Sequence, residues 1–450
     1  MDYNILREND IRGNYPKQIN KEVAKRLGES WSYYLKENNI SKCIIGHDNR
    51  LSSEELSKTL INTILSSGID VYDVGLVTTP MFNYASMQND IPYGIMITAS
   101  HNRASDNGFK IFGENFLHLA QDELKKLYKI FKSDKKIDGE GKLTEITIKK
   151  DYINMMLSKF PQMNDVSVVV DCGNGTASIV IKEILSKLFL NVTYLNCESD
   201  GSFPVHNPDP NVEENLKWLK DLVKLKKADL GIAVDGDCDR VGIVDEKGNT
   251  IFTDYLIAIY ANEVIPYVEN KNVIVDVKCS VAIPHEIDKI GGNPIMVKNG
   301  SAYIEGRMHD IPALIGGEYS GHVFFKDEYF GYDDGIYAGL RLARILHKTK
   351  IPASTLTEGM EKYESTPEIR LEVDDDIKVE VVNKVIDYAL SRNYKCNLDD
   401  GVRVDYDDGF ALIRKSNTGP FITMRYEAST KEKLNQRQKE FTAVINKYLK

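Results

Sequence analysis

Cysteine is scarce and dispersed, with six residues in 450 (Cys43, Cys172, Cys197, Cys238, Cys279 and Cys396) and no Cys-x-x-Cys pair. That spacing argues against a zinc site built on paired thiolates and against a disulfide-framed scaffold, so reduced, partly buried thiols are expected. No apolar run approaches the roughly 18 residues of a membrane span. Met1 to Glu8 has neither a basic region nor an apolar core, so a secretory signal is not expected and the protein is placed in the cytoplasm. Positive charge is short as well: 57 Lys and Arg against 67 Asp and Glu leave a net charge of −10. The deficit disfavours a nucleic-acid partner and requires that any cations meeting a phosphate be concentrated locally. No membrane partner and no obligatory protein partner are expected.

What is present is an ordinary globular composition, 42% hydrophobic and 28% charged, on a chain long enough for three or four domains. One pattern recurs three times. Lys42-Cys43-Ile44-Ile45-Gly46 precedes a helical stretch from Ser52 to Leu65 and the run from Ile69 to Val74. Ser167 to Asp171 precedes a helix around Ala177 to Leu188 and the run Val192 to Leu195. Asn272 to Asp276 precedes a helix near Ala282 to Ile290 and the run Pro294 to Val297. Each reads as a right-handed βαβ unit. From about Ile369, short strand-like runs and a final helix from Thr430 to Lys450 suggest a smaller α+β domain. The expected division is three similar mixed α/β domains over 1–146, 147–250 and 251–365, then the α+β domain over 366–450. Apart from the polar stretch from Lys132 to Gly141, the joins carry no clear proline or glycine cluster.

Four segments carry candidate chemistry. In Thr98-Ala99-Ser100-His101-Asn102 a hydroxyl stands beside an imidazole just after the apolar run Gly94 to Ile97, where a strand gives way to a loop, and Asn107-Gly108 is read as a tight turn returning Lys110 toward it. A plain polar loop is the competing reading. In Asp235-Gly236-Asp237-Cys238-Asp239-Arg240 three carboxylates alternate along an extended loop between apolar runs, which suits one hard cation, Mg²⁺. A calcium EF-hand would use these aspartates with Glu246, but Arg240 stands where its turn glycine belongs and strand-like runs flank the loop. Gly316-Gly317-Glu318-Tyr319-Ser320-Gly321-His322 can read sugar hydroxyls, although a polar turn explains it as well. Arg414-Lys415-Ser416-Asn417-Thr418-Gly419-Pro420 offers cations and hydroxyls to a phosphate, or is a surface turn. Arg12 and Lys278 are single cations at strand or loop ends. Asp171-Cys172-Gly173-Asn174-Gly175 lacks the glycine spacing of a nicotinamide site.

Taken in order, these motifs make the chain resemble the α-D-phosphohexomutase family over nearly its whole length, and within it the phosphomannomutase/phosphoglucomutase branch. The resemblance implies domains around a central cleft and an enzyme that moves a phosphoryl group between O1 and O6 of mannose or glucose phosphate. The route it implies is a phosphoserine at Ser100 and a hexose 1,6-bisphosphate intermediate, with that bisphosphate as activator. One Mg²⁺ per chain would be held by Asp235, Asp237, Asp239 and Ser100, and His101, Lys110 and Arg240 would assist transfer. Arg12, Lys278, Glu318, Ser320, His322, Arg414, Ser416, Asn417 and Thr418 would bind substrate. The fourth domain would open for reorientation of the intermediate and close for transfer. Where the branch typically has Lys-Thr-Gly-His, this chain has Lys298-Asn299-Gly300-Ser301, which removes an imidazole that contacts the sugar. Cys238 replaces a usual glycine and Tyr319 a usual methionine or glutamine. A phosphoglucosamine mutase, a Mg²⁺-dependent sugar phosphatase and a silent sugar-phosphate binder remain as alternatives.

Overall fold

The computed structural model describes residues 2–416 and 419–449, with the side chains of Asp375 and Asp376 outside the described set. Contacts divide the chain into two units, Met1–Thr253 with Ser320–Leu356 and Asp254–Tyr319 with Thr357–Lys450.

The first unit contains two sheets. One has β1 (Asp10–Asn14), β2 (Lys42–His47), β3 (Asp70–Leu76), β4 (Gly94–Ile97), β5 (Asp106–Phe112) and β6 (Leu143–Glu145), in the order β1-β5-β4-β2-β3-β6. Its centre is parallel, β4 beside β2 beside β3, while β5 runs antiparallel to both β1 and β4. Cys43, Ile44 and Ile45 on β2 are all fully buried, as a strand covered on both faces requires. Helices Lys21–Glu37 and Ser53–Leu65 supply Leu27, Trp31, Leu56, Leu60 and Ile64 to the same core. The first of these helices is capped by Asn20, whose side chain accepts from the Val23 amide.

The other sheet has β7 (Ser167–Asp171), β8 (Asn191–Leu195), β9 (Leu230–Val234), β10 (Val241–Asp245) and β11 (Thr250–Ile251), in the order β11-β10-β9-β7-β8. The helix expected over 177–188 opens instead as a 3-10 turn, Thr176–Ile179, and becomes α-helical only over Ile181–Leu188, because Val180 at φ −127° breaks the helical path. β15 (Val323–Phe325) and the helix Gly335–Thr349 also belong to this unit.

Asp334 caps that helix, accepting from the Tyr337 amide at 3.0 Å and from the hydroxyls of Tyr152 and Tyr329, each at 2.7 Å. Burial pushes its pKa up from 3.8 to about 6, although the three donors oppose the shift. Native Asp334 therefore keeps a proton that the unfolded chain loses. Its contribution to stability is full below pH 3.8 and is lost as pH rises through about 6. Urea unfolding across that window should show the wild type falling relative to Asp334→Asn. A constant difference between the two would mean that Asp334 titrates normally.

The second unit has β12 (Asn272–Asp276), β13 (Asn293–Val297) and β14 (Ile315–Gly317), with β12 pairing in parallel with both of the others. Its last sheet is antiparallel and comprises β16 (Glu364–Ser365), β17 (Ile369–Glu372), β18 (Cys396–Asn397), β19 (Val402–Tyr406), β20 (Gly409–Lys415) and β21 (Phe421–Ala428). Helices Asp375–Ser391 and Lys431–Tyr448 cover it through Val381, Val385, Phe441 and Ile445. Three α/β sheets are thus present, as the recurring βαβ pattern predicts, with a C-terminal α+β portion, as the short strand-like runs after Ile369 suggest.

Candidate active site

Beyond β4 the chain turns through residues 98–105. Ser100 sits there at φ +51°, a left-handed conformation that costs a non-glycine residue about 1–2 kcal/mol. A buried arginine holds it in place. Arg50 donates through Nη2 to the carbonyls of Ser100 and Asn102, both at 2.7 Å, and through Nη1 to those of Arg103 and Asp106 at 2.7 and 3.0 Å. Its Nε meets Asp48 Oδ2 at 3.1 Å. Arg50→Ala takes the guanidinium from these carbonyls and leaves the buried Asp48 carboxylate without its counter-charge, so a loss of about 3–5 kcal/mol in urea unfolding is expected. Arg50→Lys, which cannot fork to four carbonyls, should recover only part of it.

Asn107-Gly108 is not the turn that the sequence suggested. Both residues lie inside β5, with Gly108 opposite Arg12 on β1. Glycine is required there because a Cβ would stand 2.4 Å from the Ile11 carbonyl oxygen. Lys110 is therefore placed by strand register, two residues along the same face.

The acidic segment also differs from the extended loop that was expected. It is a tight turn joining antiparallel β9 and β10, closed by the Cys238 amide on the Asp235 carbonyl at 3.1 Å, with Cys238 at φ +71°. Gly236 lies so close to the serine turn that a Cβ on it would stand 2.5 Å from the Ser100 carbonyl oxygen. This close approach brings the serine and the carboxylates together. Ser100 Oγ donates to Asp235 Oδ2 at 2.7 Å, and His101 Nδ1 is 3.2 Å from the same hydroxyl.

Asp235, Asp237 and Asp239 are buried and present carboxylate oxygens within 4.8 Å of one another. Burial raises the Asp235 pKa, and repulsion from Asp239 and Asp237 raises it further. Burial would raise Asp239 too, but Lys110, His322 and Arg240 outweigh it and hold that carboxyl well below the usual range. Asp237 Oδ1 and Asp239 Oδ1 are buried with no hydrogen-bond partner among the described residues. Three crowded carboxylates with spare oxygens and a neighbouring hydroxyl fit a hard divalent cation.

Lys110 Nζ contacts Asp237 Oδ2 at 2.6 Å and also Asp239. Burial would lower its pKa, but Asp237 and Asp239 outweigh that, so it stays cationic. The Arg240 amide donates to Asp235 Oδ1 at 3.1 Å, and its guanidinium Nε lies 3.9 Å from Oδ2. His322 Nδ1 is 2.6 Å from Asp333 Oδ2 and 3.6 Å from Asp239 Oδ1. Arg12 pairs with Asp10 at 2.6 Å and donates to the Ala99 carbonyl and Asn102 Oδ1, both at 3.2 Å, so it braces the serine turn. Ser320 is in the same unit, its Oγ buried without a partner among the described residues.

Sequence reasoning missed Arg50, Asp333 and Thr79, whose hydroxyl donates to Asp237 Oδ2 at 2.7 Å. For Arg50 a signal existed: Asp48-Asn49-Arg50 directly follows β2 at the carboxyl end of a parallel strand, where α/β sheets place their sites.

The remaining expected residues are in the second unit. Lys278 Nζ lies 3.4 Å from both Glu318 Oε1 and Glu368 Oε2, while Asn299 Nδ2 donates to Glu318 and, at 3.1 Å, to Asp276. Burial would lower the Lys278 pKa, but Glu368, Glu318 and Asp276 outweigh it and raise it. Arg414 Nε pairs with Asp400 Oδ2 at 2.6 Å, and its Nη2 has no partner among the described residues. Ser416 Oγ accepts from the Gly419 amide at 3.1 Å. Asn417 and Thr418, also expected to bind substrate, lie outside the described residues. The division between units falls between Tyr319 and Ser320, so Glu318 is in the second and His322 in the first.

The descriptions Phosphoglucomutase/phosphomannomutase, alpha/beta/alpha domain I, II and III match residues 4–138, 150–248 and 252–363, and the C-terminal domain matches 368–444. The chain belongs to the phosphoglucomutase/phosphomannomutase family. It is a mutase. It is 39% identical over 448 residues to the phosphomannomutase/phosphoglucomutase of Pseudomonas syringae pv. tomato, covering 98% of this chain and 95% of that protein. A phosphoglucomutase of Neisseria gonorrhoeae is 35% identical over 98% of this chain and 96% of its own. The crystal structure of a phosphoglucomutase/phosphomannomutase family protein from Burkholderia thailandensis superposes with a TM-score of 0.90 at 31% identity, covering 100% of this chain and 98% of that one. The mutase has no helix, among its described residues, long and apolar enough to cross a membrane.

Proposed function

We propose that this mutase moves a phosphoryl group between O1 and O6 of mannose or glucose phosphate, with Ser100 as the carrier and a hexose 1,6-bisphosphate as intermediate and activator. The observation that carries the reading is the Ser100 hydroxyl 2.7 Å from Asp235, in a group that also contains Asp237, Asp239 and the Lys110 ammonium. Asp235, Asp237, Asp239 and an oxygen on Ser100 would hold Mg²⁺. A divalent cation bound there supplies charge neutralisation for the phosphoryl group in transfer.

The chain's own residues supply the rest. Arg50 and the left-handed backbone fix the serine oxygen before substrate arrives, so little ordering remains for the transfer step. Lys110 and Arg240 bring permanent positive charge to oxygens that gain negative charge in the transition state. His101, 3.2 Å from the serine oxygen, would accept or return a proton at that atom. In the second unit Lys278 and Arg414 offer cations to the phosphate that is not being transferred, and Glu318 offers its carboxylate to sugar hydroxyls. Arg12, Ser320, His322 and Ser416 complete the proposed substrate contacts, and the protein is proposed to work in the cytoplasm.

The test is a product balance in the presence of Mg²⁺ and a catalytic amount of glucose 1,6-bisphosphate. Glucose 1-phosphate and mannose 1-phosphate should each yield the 6-phosphate in step with substrate loss. Inorganic phosphate released at the rate of substrate loss would establish a phosphatase. Turnover of glucosamine 6-phosphate alone would establish the amino-sugar specificity.

A further inference from the structure

We propose that Cys172 and Cys197 form a reversible disulfide that clamps the carboxyl ends of β7 and β8. Cys172 directly follows β7, and Cys197 stands two residues after β8. The two strands pair in parallel with Asp171 opposite Leu195, so both thiols leave the sheet at the same end. Their Sγ atoms are 2.8 Å apart, within about 0.8 Å of the roughly 2.05 Å of a covalent S–S bond. Closing that gap takes a small movement of two side chains. The strand ends themselves need not separate or slide.

The neighbourhood is rigid on both sides. Asp171 accepts from the Gly173 amide at 2.9 Å, from Asn196 Nδ2 at 3.0 Å and from His206 Nε2 at 3.2 Å. Thr176, four residues beyond Cys172, donates through its amide and its hydroxyl to the Gly236 carbonyl at 2.8 and 2.9 Å, in the middle of the acidic turn. Asn49 Nδ2 donates to the Asn174 carbonyl at 2.8 Å. The thiol pair thus lies at the root of the segment that supports the carboxylates. Covalent closure would restrict the unfolded chain across the 25 positions from Cys172 to Cys197 while leaving the acidic turn where it is.

The chemistry needs a two-electron oxidant, and hydrogen peroxide supplies it. As a residue Cys197 retains 5% exposure against none for Cys172, which makes it the side from which the oxidant approaches. Cys197 gives up its thiol proton, its sulfur attacks one peroxide oxygen and the O–O bond breaks; the sulfenic acid stays on Cys197 and the departing hydroxide takes up that proton as one water. The Cys172 sulfur then attacks that sulfur. The S–S bond forms, the S–O bond breaks, and hydroxide leaves with the Cys172 proton as a second water. Two thiols are oxidised by one electron each and one peroxide is reduced to two waters. Burial raises the Cys172 thiol pKa, which makes closure slow and selective.

The experiment uses the full chain in a Cys396→Ser background, since Cys396 is the cysteine that is not buried. After reduction and desalting, the protein is treated with stoichiometric hydrogen peroxide. Intact mass should fall by two hydrogens, and non-reducing peptide mapping should join the Cys172 and Cys197 peptides. Oxidation should raise the Tm by at least about 3 °C. Dithiothreitol should reverse the rise, Cys197→Ser and Cys197→Ala should each lack it, and mutase activity should stay within about twofold. Oxygen addition at either cysteine, a mass that does not fall while peroxide is consumed, or a disulfide that leaves the Tm unmoved would each overturn the proposal. The mass and mapping results on the Cys396→Ser chain stand even if a Cys197 variant folds poorly.

Discussion

Ser100→Ala is expected to lose every trace of a phosphoryl adduct and to lower kcat/KM by at least about 1,000-fold. The reasoning begins with the backbone. A left-handed serine held by a fully buried arginine is a strained arrangement, and such strain persists only where surrounding structure over-determines it. Alanine keeps the backbone, the Arg50 clamp and the strain, and loses only the oxygen with its contacts to Asp235 and His101. The fold should therefore survive, with a Tm within a few degrees of wild type, while turnover collapses. Intact-mass measurement after incubation with glucose 1,6-bisphosphate reads the adduct directly: one phosphoryl group on wild type, none on Ser100→Ala. A variant that kept turnover would remove Ser100 from the mechanism. A variant that still released inorganic phosphate from sugar phosphates would point to direct attack by water.

Ser100 and the three aspartates were legible in the sequence because their chemistry is local. A hydroxyl and a dense run of carboxylates directly after apolar strands can be recognised without knowing what lies opposite. The residues that arrange them were not legible for the same reason. Arg50 reaches the Ser100 carbonyl across 50 positions, and Thr79 reaches Asp237 across 158. Nothing in the local sequence of Thr79 distinguishes it from a helix-capping threonine. Asn107-Gly108 misled because that dipeptide commonly makes turns, whereas here the glycine is selected by the approach of the Ile11 carbonyl within a strand. The aspartate segment has the right residues, but Cys238 folds them into a closed turn instead of an extended run. The βαβ repetition was readable because buried parallel strands are written as short β-branched runs. The membership of residues 320–356 in the first unit was not, since it depends on which sheet the helix Gly335–Thr349 covers.

Asp239→Asn should lower kcat/KM by about 100-fold to 10,000-fold and abolish the increase in Tm that Mg²⁺ gives the wild type. Two effects act on the metal-free protein in opposite directions. Removing the Asp239 charge relieves repulsion on Asp235, whose pKa is raised partly by that neighbour. It also takes from Lys110 one of its two carboxylate contacts and from His322 the negative charge of Asp239. Because these oppose each other, the chelated variant should melt within a few degrees of chelated wild type. With cation the balance changes. A ligand at 100 times its Kd stabilises the native state by about 2.7 kcal/mol, and that gain depends on three ionised carboxylates. Lys110, His322 and Arg240 hold the Asp239 carboxyl below the usual range, so asparagine removes a full charge at neutral pH. The measurement is a thermal melt at stepped Mg²⁺ concentrations for both chains, begun from protein treated with a chelator. Equal Mg²⁺-dependent shifts would show that the cation stabilises the protein from somewhere other than the Asp235–Asp239 turn. A shift confined to wild type, with activity lost in parallel, would tie the cation and the serine to one site.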